Sequence, residues 1–280
     1  STHWQAATIP SASFFTLLEL KTIMLKAIIF DLDDTLIDWG EFDEDWDAIE
    51  TPHVQKAHAY LIEQFPDGPT LVEYKAEYLK RTRNAWSHAR NTLVAPNMGH
   101  ILMETAIGMG IDRDTINRDA LLKAYDWRKI PGTSVFPDVL AGLTRLKNAE
   151  IQFGLVTNAY QPMVLRDVEM AEHGLLDFFP NCRFSAADHG FLKPHPSIFR
   201  KVLDCLDVEP EEAIFIGDNP TADIAGAQAA GMRAVLRVTE RRRPFLSGII
   251  VPDAALNTFD ELPAILDTWF PGWETGQQHT

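Results

Sequence analysis

Cysteine is nearly absent from the 280 residues, with Cys182 and Cys205 the only two. Two thiols are too few for a disulfide framework, and no spacing around them resembles a zinc site. They are expected to be ordinary core or surface thiols, which makes a reducing, cytoplasmic setting the simpler expectation. Basic charge is also scarce. Twenty-five Lys and Arg stand against forty Asp and Glu, a formal net charge of −15, so the summed field repels nucleic acid and anionic membrane surfaces. Any phosphate-bearing ligand must then be held by local features. Long apolar runs are missing too. Phe14, Phe15, Leu17 and Leu18 make a short one, but no basic residues precede it, and Glu19 and Lys21 break the stretch beyond it. Neither a signal peptide nor a membrane span fits. Met24 stands directly before a strand-like stretch, so residues 1–23 are read as an extension or tag remnant outside the fold. No internal repeat or low-complexity tract stands out.

Short apolar runs at residues 25–30, 151–156 and 213–216 read as buried parallel strands, because strands covered on both faces are apolar throughout. Helical segments lie between them. Gln161-Pro162 opens one that Gly174 closes, and Pro196 precedes Ile198, Phe199, Val202, Leu203 and Leu206, spaced for one helical face. A third is expected from about Pro220 to Gly231. Strands alternating with helices imply an α/β fold, a Rossmann-like parallel sheet with helices on both faces and ligands at the carboxyl ends of the strands. Residues 38–133 differ in texture, with no convincing strand and with helix openings at Thr51-Pro52 and at the capping-box pattern from Thr70 to Glu73. Val54, Ala57, Leu61, Ile62 and Phe65 mark an apolar stripe there. This division predicts a helical insertion over 38–133 and a catalytic core built from 24–37 and 134–280.

The expected strand ends carry the unusual residues. Asp31 and Asp33 are two positions apart, so extended backbone puts both carboxylates on one face, about 6.6 Å apart along the chain. Their repulsion calls for a cation or a shared proton. Asp218 follows the third run and Asp223 comes five residues later, bringing four acids to one sheet edge and favouring a hard cation such as Mg2+. Thr157 and Asn158 end the second run and offer hydroxyl, amide and backbone donors to phosphoryl oxygens. Lys193 supplies positive charge, and the neighbouring Pro194 and Pro196 restrict the backbone that carries it.

In this order, Asp31-Leu32-Asp33-Asp34-Thr35-Leu36, Thr157-Asn158, Lys193-Pro194 and the stretch from Gly217 to Ile224 resemble the four motifs of the haloacid dehalogenase superfamily. The resemblance spans nearly the whole sheet part. It implies Asp31 as nucleophile, Asp33 as general acid and base, and Thr157 and Lys193 at the phosphoryl group, where the residue chemistry also places Asn158. It also implies magnesium held by the Asp31 carboxylate, the Asp33 backbone carbonyl and Asp218, with Asp223 as ligand or support. The insertion becomes a mobile cap that closes over the site. The reaction implied is hydrolysis of a phosphate monoester through an aspartyl-phosphate, with a small phosphorylated metabolite as partner and the chain a monomer or homodimer.

Other readings compete. A 2-haloacid dehalogenase shares the fold and the nucleophile but requires neither metal nor Asp33, a phosphomutase shares all four motifs, and a non-catalytic scaffold would have lost one of the charged motif residues. The acidic run Asp43, Glu44, Asp45 and Asp47 reads as a solvated helix start, since Ala48 and Val54 occupy positions where a calcium loop needs glycine and glutamate. Arg241, Arg242 and Arg243 read as a surface loop. Trp39, Trp46, Arg81, Arg83, Trp86, His88 and Arg90 are weighed as pocket residues and assigned no role.

Overall fold

A computed structural model describes residues 23–43, 45–239 and 250–275. The expected extension at 1–23 and the three arginines at 241–243 therefore fall almost wholly outside the described residues. From the amino terminus, β1 (Ala27–Phe30) leads into the short β2 (Ile37–Asp38). Four helices come next: α1 (Trp46–Gln64), α2 (Leu71–Thr92), α3 (Met98–Gly108) and α4 (Arg118–Tyr125). The chain returns through β3 (Ser134–Val135), antiparallel to β2. Then come α5 (Val139–Asn148), β4 (Gln152–Thr157), α6 (Met163–Glu172), β5 (Arg183–Ser185), α7 (Ala186–His189) and α8 (Pro196–Leu206). The last elements are β6 (Ala213–Gly217), a π-helical turn over Pro220–Ala225, α9 (Gly226–Ala229), β7 (Arg233–Arg237), β8 (Ala254–Leu256) and α10 (Leu262–Trp269).

Six strands form one parallel sheet in the order β5-β4-β1-β6-β7-β8. Ile28 pairs with Phe153 on one side and Ile214 on the other, which places β1 at the centre. Side chains alternate across the sheet: Ile28 and Phe30 join one core with α5 and α10, and Ala27 and Ile29 join the opposite core with α8. The five α8 residues expected on one face are all buried. Gly154 on β4 lets α8 come close, since a Cβ there would sit 2.6 Å from Val202.

The four helices between β2 and β3 bury their own cluster, which includes Val54, Ala57 and Leu61 from the expected stripe. Thr70 and Glu73 make the reciprocal capping box that the sequence predicts. Thr51-Pro52 does not open a helix. The helix starts at Trp46 because the Asp45 carboxylate caps it, accepting from Asp47 N–H, and Pro52 lies inside it. As the seventh residue of α1, Pro52 has no N–H to donate to the Ala48 carbonyl and its ring crowds that group, yet the helix continues to Gln64. Within the acidic run Asp45 is the cap and Asp47 stands in the first turn, whereas Glu44 lies outside the described residues.

The two cysteines are also corrected. Cys182, just before β5, and Cys205 on α8 form a disulfide across 23 positions, with Cα atoms 5.7 Å apart. Folding β4 against α8 brings them together, a proximity that spacing alone does not reveal. Cysteine usage therefore gives no support for a reducing compartment. Among the described residues, no helix is long and apolar enough to cross a membrane.

Candidate active site

The three central strands deliver their following residues to one edge of the sheet. Asp31 comes directly after β1, Thr157 ends β4, and Asp218 comes directly after β6. Beyond β1 the chain turns sharply: Asp34 N–H donates to the Ile37 carbonyl at 2.8 Å, and Asp34 takes φ +59°, which aspartate tolerates better than most residues. This turn leaves the Asp31 and Asp33 side chains facing one cavity of about 320 Å3. Asp218, Asp223, Thr157, Asn158 and Lys193 line the same cavity, so all seven residues singled out in the sequence meet there.

Asp31 is buried. Its Oδ1 accepts from Lys193 Nζ at 2.6 Å and its Oδ2 from the Thr35 hydroxyl at 3.2 Å. Burial pushes its carboxyl well above the usual carboxylate range, Lys193 pulls back, and Asp223, Asp218 and Asp33 push further up. The Lys193 ammonium also meets Asp223 Oδ1 at 2.7 Å and donates to the Val156 carbonyl at 2.9 Å. Burial opposes its charge, but Asp223 and Asp31 outweigh that and raise it. Lys193 is therefore a permanent cation wedged between two carboxylates.

Asn158 has a different place from the one expected of its side chain. Its Oδ1 accepts from Lys193 N–H at 2.7 Å and its Nδ2 donates to the Lys193 carbonyl at 3.1 Å. Both ends of the amide are thus spent on fixing the lysine backbone, leaving only the Asn158 main chain to face a phosphoryl group. Pro196 begins α8 immediately afterwards, and His195 caps it by accepting from Ser197 N–H.

The loop after β6 explains Asp223. The Asn219 side chain caps the π turn by accepting from Thr221 and Ala222 N–H, both at 3.0 Å. The wider π winding brings Asp223 Oδ2 back onto Asn219 N–H at 2.9 Å. Gly217 is required here, because a Cβ at that position would overlap the Asp223 carboxylate.

Asp31, Asp218 and Asp223 each offer a carboxylate oxygen, and these lie within 4.8 Å of one another, all three buried. Three carboxylate oxygens this close to one another could share one hard divalent cation. The donor set is entirely hard oxygen. Five carboxylates, those of Asp31, Asp33, Asp34, Asp218 and Asp223, line the cavity against two fixed cations, Lys193 and Arg166, and a phosphate would deepen that excess. The residues present therefore fit a divalent cation. The Asp33 carboxylate lies outside the three-oxygen group.

Arg166 is the site residue that sequence reasoning missed. It is buried on α6, and its Nη2 donates to Asp33 Oδ1 at 2.7 Å, while Trp39 Nε1 donates to the same oxygen at 3.2 Å. The Thr157 hydroxyl donates to Asp33 Oδ2 at 3.3 Å. Behind Arg166, Glu169 holds its Nη1 at 2.9 Å and accepts from Trp127 Nε1 at 2.9 Å. Burial works against the guanidinium charge, but Asp33 and Glu169 together raise it. A signal existed: Leu165, Arg166, Glu169 and Met170 share one helical face, and two opposite charges on an otherwise apolar stripe imply a buried pair. Trp39, Trp46 and Trp86, given no role on sequence grounds, line the cavity together with Tyr160.

Among known proteins, the haloacid dehalogenase-like hydrolase family matches residues 25–231. Glyceraldehyde 3-phosphate phosphatase of Pyrococcus furiosus is 28% identical over 220 residues, covering 75% of this chain and 80% of that one. Pyrophosphatase PpaX of Anoxybacillus flavithermus is 29% identical over 242 residues, covering 86% and 97%. A 2-haloacid dehalogenase from Pseudomonas syringae pv. tomato superimposes with a TM-score of 0.57 at 25% identity, covering 88% of this chain and 100% of that one.

Proposed function

The chain belongs to the haloacid dehalogenase-like hydrolases and is a phosphatase of that family; on that premise we propose that it hydrolyses small phosphate monoesters, with magnesium, through an aspartyl-phosphate on Asp31. The observation that carries this reading is the Asp31 carboxylate in the cavity, gripped by Lys193 beside Asp218 and Asp223, with Asp33 lining the same cavity.

Lys193 and Thr35 hold the two Asp31 oxygens and so aim the carboxylate. A carboxylate oxygen of Asp31 attacks phosphorus, the bond to the leaving oxygen breaks, and Asp33 gives that oxygen its proton. Asp33 then takes a proton from water, whose oxygen attacks the same phosphorus and releases phosphate, restoring Asp31. The Asn158 main-chain N–H serves the phosphoryl oxygens, and the Thr157 hydroxyl and Lys193 ammonium join it by exchanging a bond to Asp33 and to one of the Lys193 partners for one to phosphate. Magnesium, when bound, neutralises phosphoryl charge and fixes the in-line geometry; Asp31, Asp218, Asp223 and the Asp33 carbonyl would hold it. The helices of 38–133 act as the cap, and their Trp46 and Trp86 bound the space for the leaving group.

Likeness to a dehalogenase concerns the fold, whereas the three-carboxylate group and the paired Asp33 favour phosphoryl chemistry. The test is phosphate release from a panel of small phosphate esters with magnesium, with EDTA, and with Asp31→Asn. Release should vanish in both of the latter conditions. Release that survives Asp31→Asn, or chloride release from haloacids without metal, contradicts the proposal.

A further inference from the structure

Next to the catalytic cavity lies a second one of about 550 Å3, and Trp46 and Trp86 line both. It is of a size that holds a small organic ligand. One wall is α2, where Leu79, Arg83, Trp86 and Arg90 recur at helical spacing on one face. Arg83 and Arg90 are exposed and make no ion pair or hydrogen bond with any described residue. Their neighbours Lys80 and Arg81 are both paired with Glu77. In a chain carrying fifteen surplus negative charges, two unpaired guanidiniums at one cavity concentrate positive charge there. The Thr82 hydroxyl in the same wall is buried without a partner.

The opposite wall is α1. It presents Asp47 and Glu50, but the Glu50 carboxylate is taken up by the Tyr78 and Tyr125 hydroxyls at 3.1 and 3.3 Å. Anion-receptive chemistry is therefore confined to the α2 side. The two tryptophans border both cavities and offer flat apolar surface there.

We propose that this second cavity is the leaving-group subsite of the phosphatase, and that it takes an ester whose apolar or planar body lies against Trp46 and Trp86 and whose second anionic group reaches Arg83 and Arg90. The inference rests on the phosphatase reading for its direction, with the phosphoryl group at Asp31 and the tail at α2. Guanidiniums bind carboxylate and phosphate alike in paired hydrogen bonds, so the ligand class is a phosphate ester with an anionic tail of either kind.

Non-hydrolysable phosphonates test this without turnover. Tryptophan fluorescence would follow binding of benzylphosphonate, 4-carboxybenzylphosphonate and para-xylylene bisphosphonate to the full chain with magnesium. The wild type should bind at least one tailed ligand roughly tenfold more tightly than benzylphosphonate, the gain of one charge-assisted contact. The double variant Arg83→Gln/Arg90→Gln should bring that ratio to near unity. Gain with only one of the two tails identifies which anion the subsite prefers. Equal affinity of all three ligands for the wild type, or a ratio that survives in the double variant, overturns the subsite. Loss of magnesium-dependent phosphate release from the ester panel would instead count against the phosphatase reading, so the two failures are separable.

Discussion

The geometry around Asp33 turns on a single arginine. Arg166 and Trp39 meet one oxygen of Asp33 and Thr157 meets the other, so both oxygens of the proposed acid and base are fixed. Small misplacements of such a group are costly, about a hundredfold for a shift near 1 Å. Arg166→Met is expected to lower kcat by about ten- to a hundredfold with little change in KM, and to alter the pH profile of kcat. Arg166→Lys, which keeps a donor and the charge, should recover part of the loss. Steady-state kinetics across pH checks this, and an unchanged kcat in Arg166→Met would show that the pair with Asp33 has no part in the reaction. Residue roles were unevenly legible. Asp31, Asp33, Thr157, Lys193, Asp218 and Asp223 stand at strand ends in an ordered spacing, whereas Arg166 acts from within a helix and depends on a partner 133 positions away. Asn158 was found but its side chain was misplaced, because its bonds run to the Lys193 backbone, a contact that forms only when β4 and the loop before α8 meet.

Among the elements, α1, α2 and α4 are joined by a buried acid. Glu50 on α1 accepts from Tyr78 on α2 and Tyr125 on α4. Burial pushes its carboxyl up to about 7 against an ordinary 4.5, with the two tyrosines offsetting part of that and Asp47 adding to it. The folded chain thus keeps a proton that the unfolded chain loses. Stability from this group is full below the ordinary value and declines as pH rises through about 7. Glu50→Gln, neutral at every pH and still able to accept from both hydroxyls, should remove the decline. At about pH 8 the variant is expected to be more stable than the wild type by on the order of 2 kcal/mol, and at about pH 4 no more stable. Thermal melts across pH check this, and parallel curves for the two proteins would contradict it. Strands β1 and β6 were readable because burial on both faces makes them apolar throughout, and β4 because its buried centre is apolar between Gln152 and Thr157. β7 has an apolar centre but arginine at both ends, and β8 has three residues, one of them exposed, so neither shows a run of comparable length. The start of α1 was misread at Pro52, where a single residue's preference yielded to the Asp45 cap and to the packing of the helix.

At the scale of the whole molecule, the strand order β5-β4-β1-β6-β7-β8 decides where chemistry occurs. It sets the first strand in the middle, so residues near positions 31, 157 and 218 converge although more than a hundred positions separate the first two. The surrounding charge of −15 discourages anions generally. A phosphate ester is therefore attracted only where Lys193, the proposed magnesium and, in the second cavity, Arg83 and Arg90 overcome that field. The disulfide between Cys182 and Cys205 lies outside this pattern: it fastens the segment before β5 to α8 and was invisible to spacing. The central claim is that Asp31 carries the phosphoryl group between the two steps. Its most direct test is a rapid acid quench during turnover of the best ester in the panel, with peptide mass spectrometry of the quenched protein. A transient phosphoryl increment on the peptide containing Asp31, lost on hydroxylamine treatment and missing in Asp31→Asn, is the result expected. Steady phosphate release with no such increment at any quench time, or an increment that persists in Asp31→Asn, would contradict the account.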